Sequence, residues 1–179
     1  MVVINMIAAI SKRGGIGLNN KIPWNLRGDL VNFKKATVGY GNNSVIMGRK
    51  TWESLDGKHL SERKNIVVSS KLDNKDNNIK VVSSLDEALM YNYNNGYDAA
   101  WIIGGSRIYD EALATHKVSG LYITRVDTDT VCDTFFPHIN KNFDLNKVGM
   151  WRMENDQRYR HEYYVSKIFS TQIYDDNGS

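Results

Sequence analysis

An acidic residue, Asp29, is the first side chain whose position suggests chemistry. It lies in the segment IPWNLRGDLVNFKK (22–35), directly after Gly28. If the segment is helical, Asp29 and Phe33 share a face with Leu30 beside them, because residues four apart are neighbours on a helix. A carboxylate that faces an apolar pocket would bind a pair of hydrogen-bond donors on a ligand. A first-turn acid can also simply complement the helix dipole, and this segment alone slightly favours that structural explanation.

Two glycine-containing turns indicate phosphate binding. The sequence GRKT (48–51) follows an apolar run and should open a helix, whose first N–H groups can bind a phosphate. Arg49 and Lys50 would add charge-assisted hydrogen bonds. The sequence IIGGSRIY (102–109) repeats this plan, and its paired glycines allow a diphosphate to approach the backbone closely. Each turn also has a structural alternative, a solvated basic helix start in the first case and a tight strand-to-helix turn in the second.

Several familiar signatures do not occur in the sequence. There is neither a GxGxxG fingerprint nor a GxxxxGK[ST] phosphate loop, which disfavours an ordinary Rossmann domain and an NTPase. His59, His116, His138 and His161 show no metal-ligand spacing, so we expect no metal site and assign them to surface or structural positions. No GxSxG nucleophile elbow is found. Cys132 is the only cysteine, which excludes an intramolecular disulfide and favours a reducing compartment such as the cytoplasm.

The hydrophobic pattern predicts the elements that position these residues. Short apolar runs predict buried strands at 2–10, 44–48, 65–70, 80–82, 99–105 and 121–126. Helical periodicity predicts helices at 29–36, 83–91 and 106–114. This alternation predicts an α/β domain with a central, mostly parallel twisted sheet flanked by helices on both faces. The segments 143–153 and 160–169 predict two long antiparallel strands that close one edge of the sheet.

Length and composition predict one domain and a small-molecule partner. Charged side chains make up 24% of the 179 residues and hydrophobic ones 41%, so we predict a single globular domain at 1–170 and a solvated tail at 171–179. The formal charge is +3 and the basic residues are scattered, so no nucleic-acid partner is expected. The apolar start of the chain is too short to span a membrane. A monomer is the default expectation.

Six segments resemble the dihydrofolate reductase family, in the same order and at compatible spacing, over residues 3–169. They are IAAIS…GIG (7–17), IPWNLRGDL (22–30), VIMGRKTWES (45–54), RKNIVVSS (63–70), the IGG turn (103–105) with RIY after it, and LYITRVD…DTFFP (121–137). The combination is specific, although no single segment is. The resemblance implies NADPH-dependent reduction of 7,8-dihydrofolate to 5,6,7,8-tetrahydrofolate, which supplies one-carbon metabolism and thymidylate synthesis. It also makes the functional explanation of Asp29 the favoured one.

The resemblance implies the roles of the substrate-binding and catalytic residues. Asp29 would hydrogen-bond the amino-oxo edge of the pterin and promote ring protonation through water, with its orientation fixed by Thr124. Trp24 would lie near the junction of the two ligands, and Arg63 would clamp the glutamate carboxylate of the substrate. The implied substrate-binding residues are Ile7, Asp29, Leu30, Phe33, Leu55, Leu60, Arg63 and Thr124.

The resemblance also implies a binding site for NADPH and a mobile loop. The implied cofactor-binding residues are Ala9, Ile16, Gly48, Arg49, Lys50, Thr51, Ser69, Ser70, Ile103, Gly104, Gly105, Ser106, Arg107 and Tyr109. The peptide bond between Gly104 and Gly105 is expected to be cis. Residues 11–26 correspond to a mobile active-site loop that is rich in glycine, and Asp133 falls where the family has the partner that closes it.

Three other functions compete with this interpretation. A related NADPH-dependent reductase, such as the pyrimidine reductase of riboflavin synthesis, would not be expected to carry Trp24 and Asp29 in this arrangement. A catalytically silent binding module is disfavoured because Asp29, Arg49, Arg63 and the glycine pair are all intact. A nucleic-acid-binding module would need a clustered basic face, which the sequence does not indicate.

Overall fold

The structure, a computed structural model, describes residues 2–73 and 76–169. Its strands are β1 (Val3–Ile10), β2 (Gly15–Gly17), β3 (Asn43–Gly48), β4 (Lys64–Val68), β5 (Ile79–Val82), β6 (Ala99–Ile102), β7 (Gly120–Val126), β8 (Thr134–Phe135), β9 (Phe143–Val148), β10 (Arg152–Glu154) and β11 (Gln157–Ser166). Its helices are α1 (Arg27–Val38), α2 (Arg49–Ser54), α3 (Leu85–Asn94) and α4 (Ser106–Ala114). No helix in these described ranges is long and apolar enough to cross a membrane.

Most of the strands form one sheet. Their order is β10-β11-β7-β1-β6-β3-β4-β5, and β9 pairs with β11 beside β10. The pairs among β1, β3, β4, β5, β6 and β7 are parallel. The long strand β11 runs antiparallel to β7, β9 and β10. The predicted α/β architecture, a mostly parallel sheet with an antiparallel C-terminal strand, is therefore confirmed.

Successive residues of the central strands face opposite sides of the sheet, and both sides are covered by helices. On β3, Ile46 packs into the cluster that contains α3 and α4, whereas Val45 and Met47 pack into the cluster that contains α1 and α2. All three side chains are fully buried. A strand that is buried on both faces needs apolar residues at every position, which explains why the strands stand out in the sequence as continuous apolar runs.

The long strand predicted at 143–153 is wrong as a single element. It is divided into β9 and β10, and the intervening Gly149 donates its backbone N–H to the carbonyl of His161 (2.7 Å). A Cβ at Gly149 would lie 3.2 Å from that carbonyl oxygen, so the approach suits glycine. The pairing of β11 with β9 also shifts register between Tyr163 and Tyr164, which is the signature of a bulge. The predicted tail at 171–179 lies outside the described residues.

A small second sheet was not predicted. Strand β2 pairs antiparallel with β8, with Gly15 opposite Phe135 and Gly17 opposite Thr134. Both strands are very short, so a period-two hydrophobic pattern had no length over which to appear. This pairing attaches the loop at 11–26 to the segment that follows β7.

Candidate active site

A large cleft of about 950 Å³ crosses the carboxyl ends of the parallel strands. Strands β3, β4 and β6 lead to its wall at Gly48, Val68 and Ile103. Helices α2 and α4 begin at this wall, and the first turn of α1 contributes Asp29 to it. Ligands of open parallel sheets bind at this edge, because the loops and helix starts there have free polar groups. Within the sheet, the backbone groups are already paired with neighbouring strands.

The wall of the cleft brings together every residue predicted to bind substrate or NADPH. From the substrate set it contains Ile7, Asp29, Leu30, Phe33, Leu55, Leu60, Arg63 and Thr124. From the cofactor set it contains Ala9, Ile16, Gly48, Arg49, Lys50, Thr51, Ser69, Ser70, Ile103, Gly104, Gly105, Ser106, Arg107 and Tyr109. Residues that are distant in sequence therefore line one continuous surface.

Trp24 differs from the other predicted catalytic residues. It is not part of the cleft wall, and packs instead beside Ala9 against a small buried cluster of Leu26, Val126 and Tyr159. Its contact with ligands stays a prediction.

The backbone of the first turn of α1 is held by a carboxylate from a distant strand. The residue before the helix, Leu26, offers no side-chain cap. Glu154 of β10 takes that place, because its two carboxylate oxygens accept the N–H groups of Arg27 (2.7 Å) and Gly28 (2.9 Å). A helix N-terminus favours a negative charge. Since Glu154 satisfies these donors, the adjacent Asp29 carboxylate does not serve as the helix cap.

The Asp29 side chain is fixed through one of its two oxygens. The Thr124 hydroxyl donates to Asp29 Oδ1 (2.6 Å), and His161 Nε2 lies 3.1 Å from the same oxygen. The carboxylate is only 15% exposed. Within the described residues no hydrogen-bond donor contacts Oδ2. Asp29 lies on the cleft wall, and Oδ2 is not among the buried polar atoms without a partner, so this oxygen is open to the cleft and can accept a hydrogen bond from a ligand there.

Arg63, on the cleft wall, is held in place by its neighbours. Its guanidinium donates to the Thr37 hydroxyl (2.8 Å) and to the Ser61 carbonyl (2.8 Å), and lies 5.8 Å from the centre of the Phe33 ring. Partial burial lowers the pKa of Arg63, an effect that the neighbouring Glu62 only partly offsets. Arginine stays protonated at any physiological pH, so this position is a fixed cation suited to a carboxylate.

The Gly104–Gly105 turn lies at the other end of the cleft, and its peptide bond is cis, as expected. The Gly104 carbonyl accepts the N–H of Gly48, which joins the two glycine turns (2.8 Å). Gly104 has a φ of +122°, and a Cβ there would approach Tyr109 and Thr51 at 3.3–3.4 Å. The Tyr109 hydroxyl donates to the Ile7 carbonyl (2.8 Å), and burial raises the pKa of this phenol. The Tyr109 side chain is therefore neutral and fixed where it forms part of the cleft wall.

Cations surround the glycine turns. Arg49 pairs with Glu53, and Arg107 pairs with Glu111 (2.7 Å), each one helical turn along. Such exposed pairs contribute only about 0.3–0.5 kcal/mol, so a bound phosphate can compete for either arginine. The Ser69 hydroxyl oxygen accepts the N–H groups of Lys71 and Leu72 (both 3.1 Å), which holds the turn after β4 against the cleft.

The loop at 11–26 is tied to the segment after β7. The Asp133 carboxylate accepts the N–H of Asn19 (2.8 Å), and the Asp133 N–H donates to the Gly17 carbonyl (2.9 Å). Asp133 also accepts the Thr134 hydroxyl (2.9 Å). Two hydrogen bonds hold the pKa of Asp133 below its ordinary value. The N–H of Asn19 has the larger effect and the Thr134 hydroxyl the smaller one. How this contact affects turnover stays a prediction.

Several residues of the site were not found by sequence reasoning. His161 was assigned to a structural or surface position, although it contacts Asp29. Glu154 and Tyr159 were not singled out. The alternation along β11 could have placed His161 and Tyr159 on one face, but the pairing of β11 with β7 cannot be read from a single sequence. The wall also contains residues that were not predicted to bind a ligand, of which four belong to the predicted active-site loop at 11–26: Ala8, Gly17, Asn20, Lys21, Ile22, Lys34, Ser54, Val68, Lys71, Ser83, Ile108 and Thr134.

Fold and site together define a class of protein. A mostly parallel sheet carries a long cleft with a glycine-lined, cationic end and an apolar end that contains one held carboxylate. This is the arrangement of an oxidoreductase that places a nucleotide cofactor beside a small ring with hydrogen-bond donors.

Comparison with known proteins gives the family. The sequence model of dihydrofolate reductase matches residues 3–168, and the chain belongs to the dihydrofolate reductase family. It is 44% identical over 134 residues to the dihydrofolate reductase of Buchnera aphidicola subsp. Acyrthosiphon pisum, covering 75% of this chain and 78% of that protein. It is 36% identical over 151 residues to the dihydrofolate reductase of Heliothis virescens, covering 78% and 82%.

A longer relative carries a second named activity. The chain is 38% identical over 176 residues to the bifunctional dihydrofolate reductase-thymidylate synthase of Paramecium tetraurelia. The match covers 96% of this chain and 36% of that protein. The chain therefore spans about a third of the length of the bifunctional relative.

Proposed function

We propose that this chain reduces 7,8-dihydrofolate to 5,6,7,8-tetrahydrofolate with NADPH as the hydride donor. The observation that carries the proposal is the state of Asp29. Its carboxylate is mostly buried, Oδ1 is held by Thr124 and His161, and Oδ2 has no donor among the described residues. The amino group and ring N–H of a pterin are donors that this carboxylate can accept from the cleft.

The rest of the cleft supports dihydrofolate as the substrate. Phe33 and Leu60 belong to the apolar cluster beneath α1 and α2, and both face the cleft. They offer an apolar wall to the flat parts of the ligand. Arg63 lies on the same wall and supplies the fixed cation for a carboxylate at the far end of the substrate. The Asp29 carboxylate and the Arg63 guanidinium on one apolar wall match a ligand with a donor edge and an anionic tail.

The residues at the glycine end fit NADPH. Gly104 and Gly105 leave room for a diphosphate, since a side chain at Gly104 would occupy that space against Thr51. Arg49, Lys50 and Ser69 lie on the wall nearby and have the chemistry of a phosphate site. A cluster of cations and hydroxyls favours a cofactor with the additional 2′-phosphate over one without it.

The residues of the chain contribute positioning, water exclusion and control of a proton. When bound, NADPH supplies a hydride to the ring carbon of the substrate. Asp29 holds the ring edge and favours protonation of the neighbouring ring nitrogen, and the proton arrives through water. The cleft walls at Ile7 and Tyr109 exclude other water, so the two ligands can meet at a short distance.

The direct test is oxidation of NADPH, followed by absorbance, with purified protein and dihydrofolate. We expect turnover that requires both ligands and that is weaker with NADH. Absence of dihydrofolate-dependent NADPH oxidation would end the proposal. Arg49→Gln supplies a test of the phosphate site, since it should raise KM for NADPH about tenfold and leave KM for NADH unchanged. Equal effects on both cofactors would contradict a role at the 2′-phosphate.

Four further assignments belong to the same proposal. We expect one domain over 1–170, a monomer in solution and a cytoplasmic location, with no nucleic-acid or membrane partner. The single cysteine, Cys132, fits a reducing compartment. Size-exclusion chromatography with light scattering tests the oligomeric state, and a dimer at micromolar concentration would contradict it.

A further inference from the structure

We propose that His161 is a positioning residue for Asp29, donating from Nε2 to Oδ1 so that Oδ2 is presented to the ligand. The inference rests on the proposed function of Asp29 as the anchor of the pterin. It concerns a histidine on the last strand of the sheet, 132 positions along the chain from the carboxylate it contacts.

Strand pairing places two donors side by side. Thr124 of β7 and His161 of β11 are directly opposite each other in the antiparallel ladder, so their side chains lie on the same face. Both reach Asp29 Oδ1, at 2.6 Å from the Thr124 hydroxyl and 3.1 Å from His161 Nε2. The first turn of α1 thus meets a pair of donors fixed on two adjacent strands.

Two hydrogen-bond donors to Asp29 Oδ1 restrict the carboxylate more than a single donor would. The terminal torsion of an aspartate is broad, so a single hydrogen bond leaves the carboxylate free to rotate about it. Donors from two different strands that converge on Oδ1 fix the plane of the carboxylate as well as the position of that oxygen. Hydrogen bonds to an ionised carboxylate are also stronger than neutral ones. Together they define which way Oδ2 points.

The position of His161 is itself well supported. Its ring meets the edge of the buried Tyr159 ring at a centroid distance of 5.7 Å and an interplanar angle of 76°. Its carbonyl accepts the N–H of Gly149 (2.7 Å). His161 is not part of the cleft wall, so it acts on a ligand through Asp29 and does not touch it.

The proposed contact requires a proton on Nε2 of the imidazole. An ionised carboxylate only accepts hydrogen bonds, so Nε2 must carry the proton. A neutral ring protonated at Nε2, or the imidazolium, satisfies this condition. A neutral ring protonated only at Nδ1 would place two acceptors together and would be unfavourable.

The kinetic test compares two substitutions of His161. His161→Leu removes the donor, and His161→Gln keeps an amide N–H near the position of Nε2. We expect His161→Leu to lower kcat/KM for dihydrofolate about tenfold or more, with KM for NADPH unchanged, and His161→Gln to recover most of the loss. Tyr163→Phe is the matched control, because Tyr163 lies two residues along the same face of β11 and is not part of the cleft wall.

A double-mutant cycle separates positioning from general structural support. In an Asp29→Asn background, His161→Leu should have little further effect on kcat/KM, because the group that it positions is already gone. Independent effects of the two changes would overturn the proposal. So would a His161→Gln variant as impaired as His161→Leu, or a His161→Leu variant with unchanged kcat and KM.

NMR of the imidazole nitrogens gives a readout that does not need turnover. In the wild-type protein we expect a proton on Nε2 of His161, and a neutral ring protonated only at Nδ1 would overturn the proposal. The NADPH oxidation assay on the wild-type protein separates the proposed reductase function from the proposed role of His161. No turnover of dihydrofolate would count against the proposed function alone, whereas turnover with the wrong tautomer would count against the role of His161 alone.

Discussion

Gly28 and Tyr159 are in such close contact that the first turn of α1, which carries Asp29, depends on the absence of a side chain at Gly28. A Cβ at Gly28 would overlap the phenol oxygen of Tyr159 and lie 3.1 Å from a Glu154 oxygen. Glu154 can therefore reach the backbone N–H of Gly28 and cap α1. The glycine that precedes Asp29 is explained by this contact with β10 and β11.

Gly28→Ala should consequently damage both stability and activity. The added methyl group must displace Tyr159 or the helix start, and overpacking of this kind destabilises by about 1–3 kcal/mol. We expect a lower midpoint in urea and a lower kcat/KM for dihydrofolate. Combining it with Tyr159→Phe removes the overlapping oxygen, so the double variant should recover part of the loss. A single Gly28→Ala variant with unchanged stability would contradict the contact.

The sequence predicted those parts of the site and fold whose residues are neighbours in the chain. Asp29 follows Gly28 at the start of a helix, and Gly104 and Gly105 lie in a strand-to-helix turn, so local rules selected them as candidates and the family resemblance then favoured a functional explanation. The sheet class was predictable for a similar reason, since strands such as β3 are buried on both faces and read as continuous apolar runs.

The other parts of the site depend on strand register, the alignment of paired strands, which local sequence rules do not predict. Glu154 and His161 reach the first turn of α1 from 126 and 132 positions away. Their roles exist only because β11 pairs with β7 in one particular alignment and carries β10 beside it. A shift of one residue would turn His161 away from Asp29. The break at Gly149 was missed for the same reason, since it reflects pairing with β11.

Asp29→Asn tests the proton chemistry. The amide keeps the size of the side chain but cannot favour a protonated ring, so kcat should fall at least about a hundredfold near neutral pH. The loss should be smaller at acidic pH, where the substrate arrives already protonated. A profile of kcat and kcat/KM against pH measures the difference, and KM for NADPH serves as an internal control. An equal loss at every pH would contradict the role in protonation.

Asp133→Ala tests the contact that ties the loop at 11–26. Removing the carboxylate leaves the Asn19 N–H without its acceptor, so the bound position of the loop becomes less favourable. We expect hydride transfer in single-turnover experiments to slow about tenfold and product release to change as well. Asp133→Asn keeps an acceptor oxygen and should lie between the alanine variant and the wild type. Rates equal to the wild type in both steps would reject the loop-closing role.

Glu162 lies on the opposite face of β11 from His161 and is part of a buried ionic cluster. It is 4% exposed and accepts hydrogen bonds from Arg125 (2.9 Å) and Arg160 (2.6 and 2.9 Å) and from the Tyr164 hydroxyl (2.8 Å). Burial alone would raise the pKa of Glu162, but the donors, led by Arg125, outweigh it and hold the pKa below its ordinary value. A carboxyl group whose pKa is lower in the folded state stabilises the fold above its unfolded pKa, and that stability is lost as pH falls through the folded pKa.

Glu162→Gln should therefore destabilise the protein in a pH-dependent way. Near neutral pH we expect the free energy of unfolding to fall by about 1–3 kcal/mol, because two arginines lose their carboxylate. The stabilisation by the wild-type glutamate begins to decline near the ordinary glutamate pKa of about 4.5 and is lost as the pH falls through the lower pKa of folded Glu162, so the gap between the two proteins should shrink at acidic pH. Urea unfolding across this pH range measures the gap. Asp144→Asn, at an exposed pair with Lys167, is the control and should change stability by less than about 0.5 kcal/mol. If the Glu162→Gln gap stayed constant from neutral to acidic pH, the arginine cluster would not be what keeps Glu162 ionised.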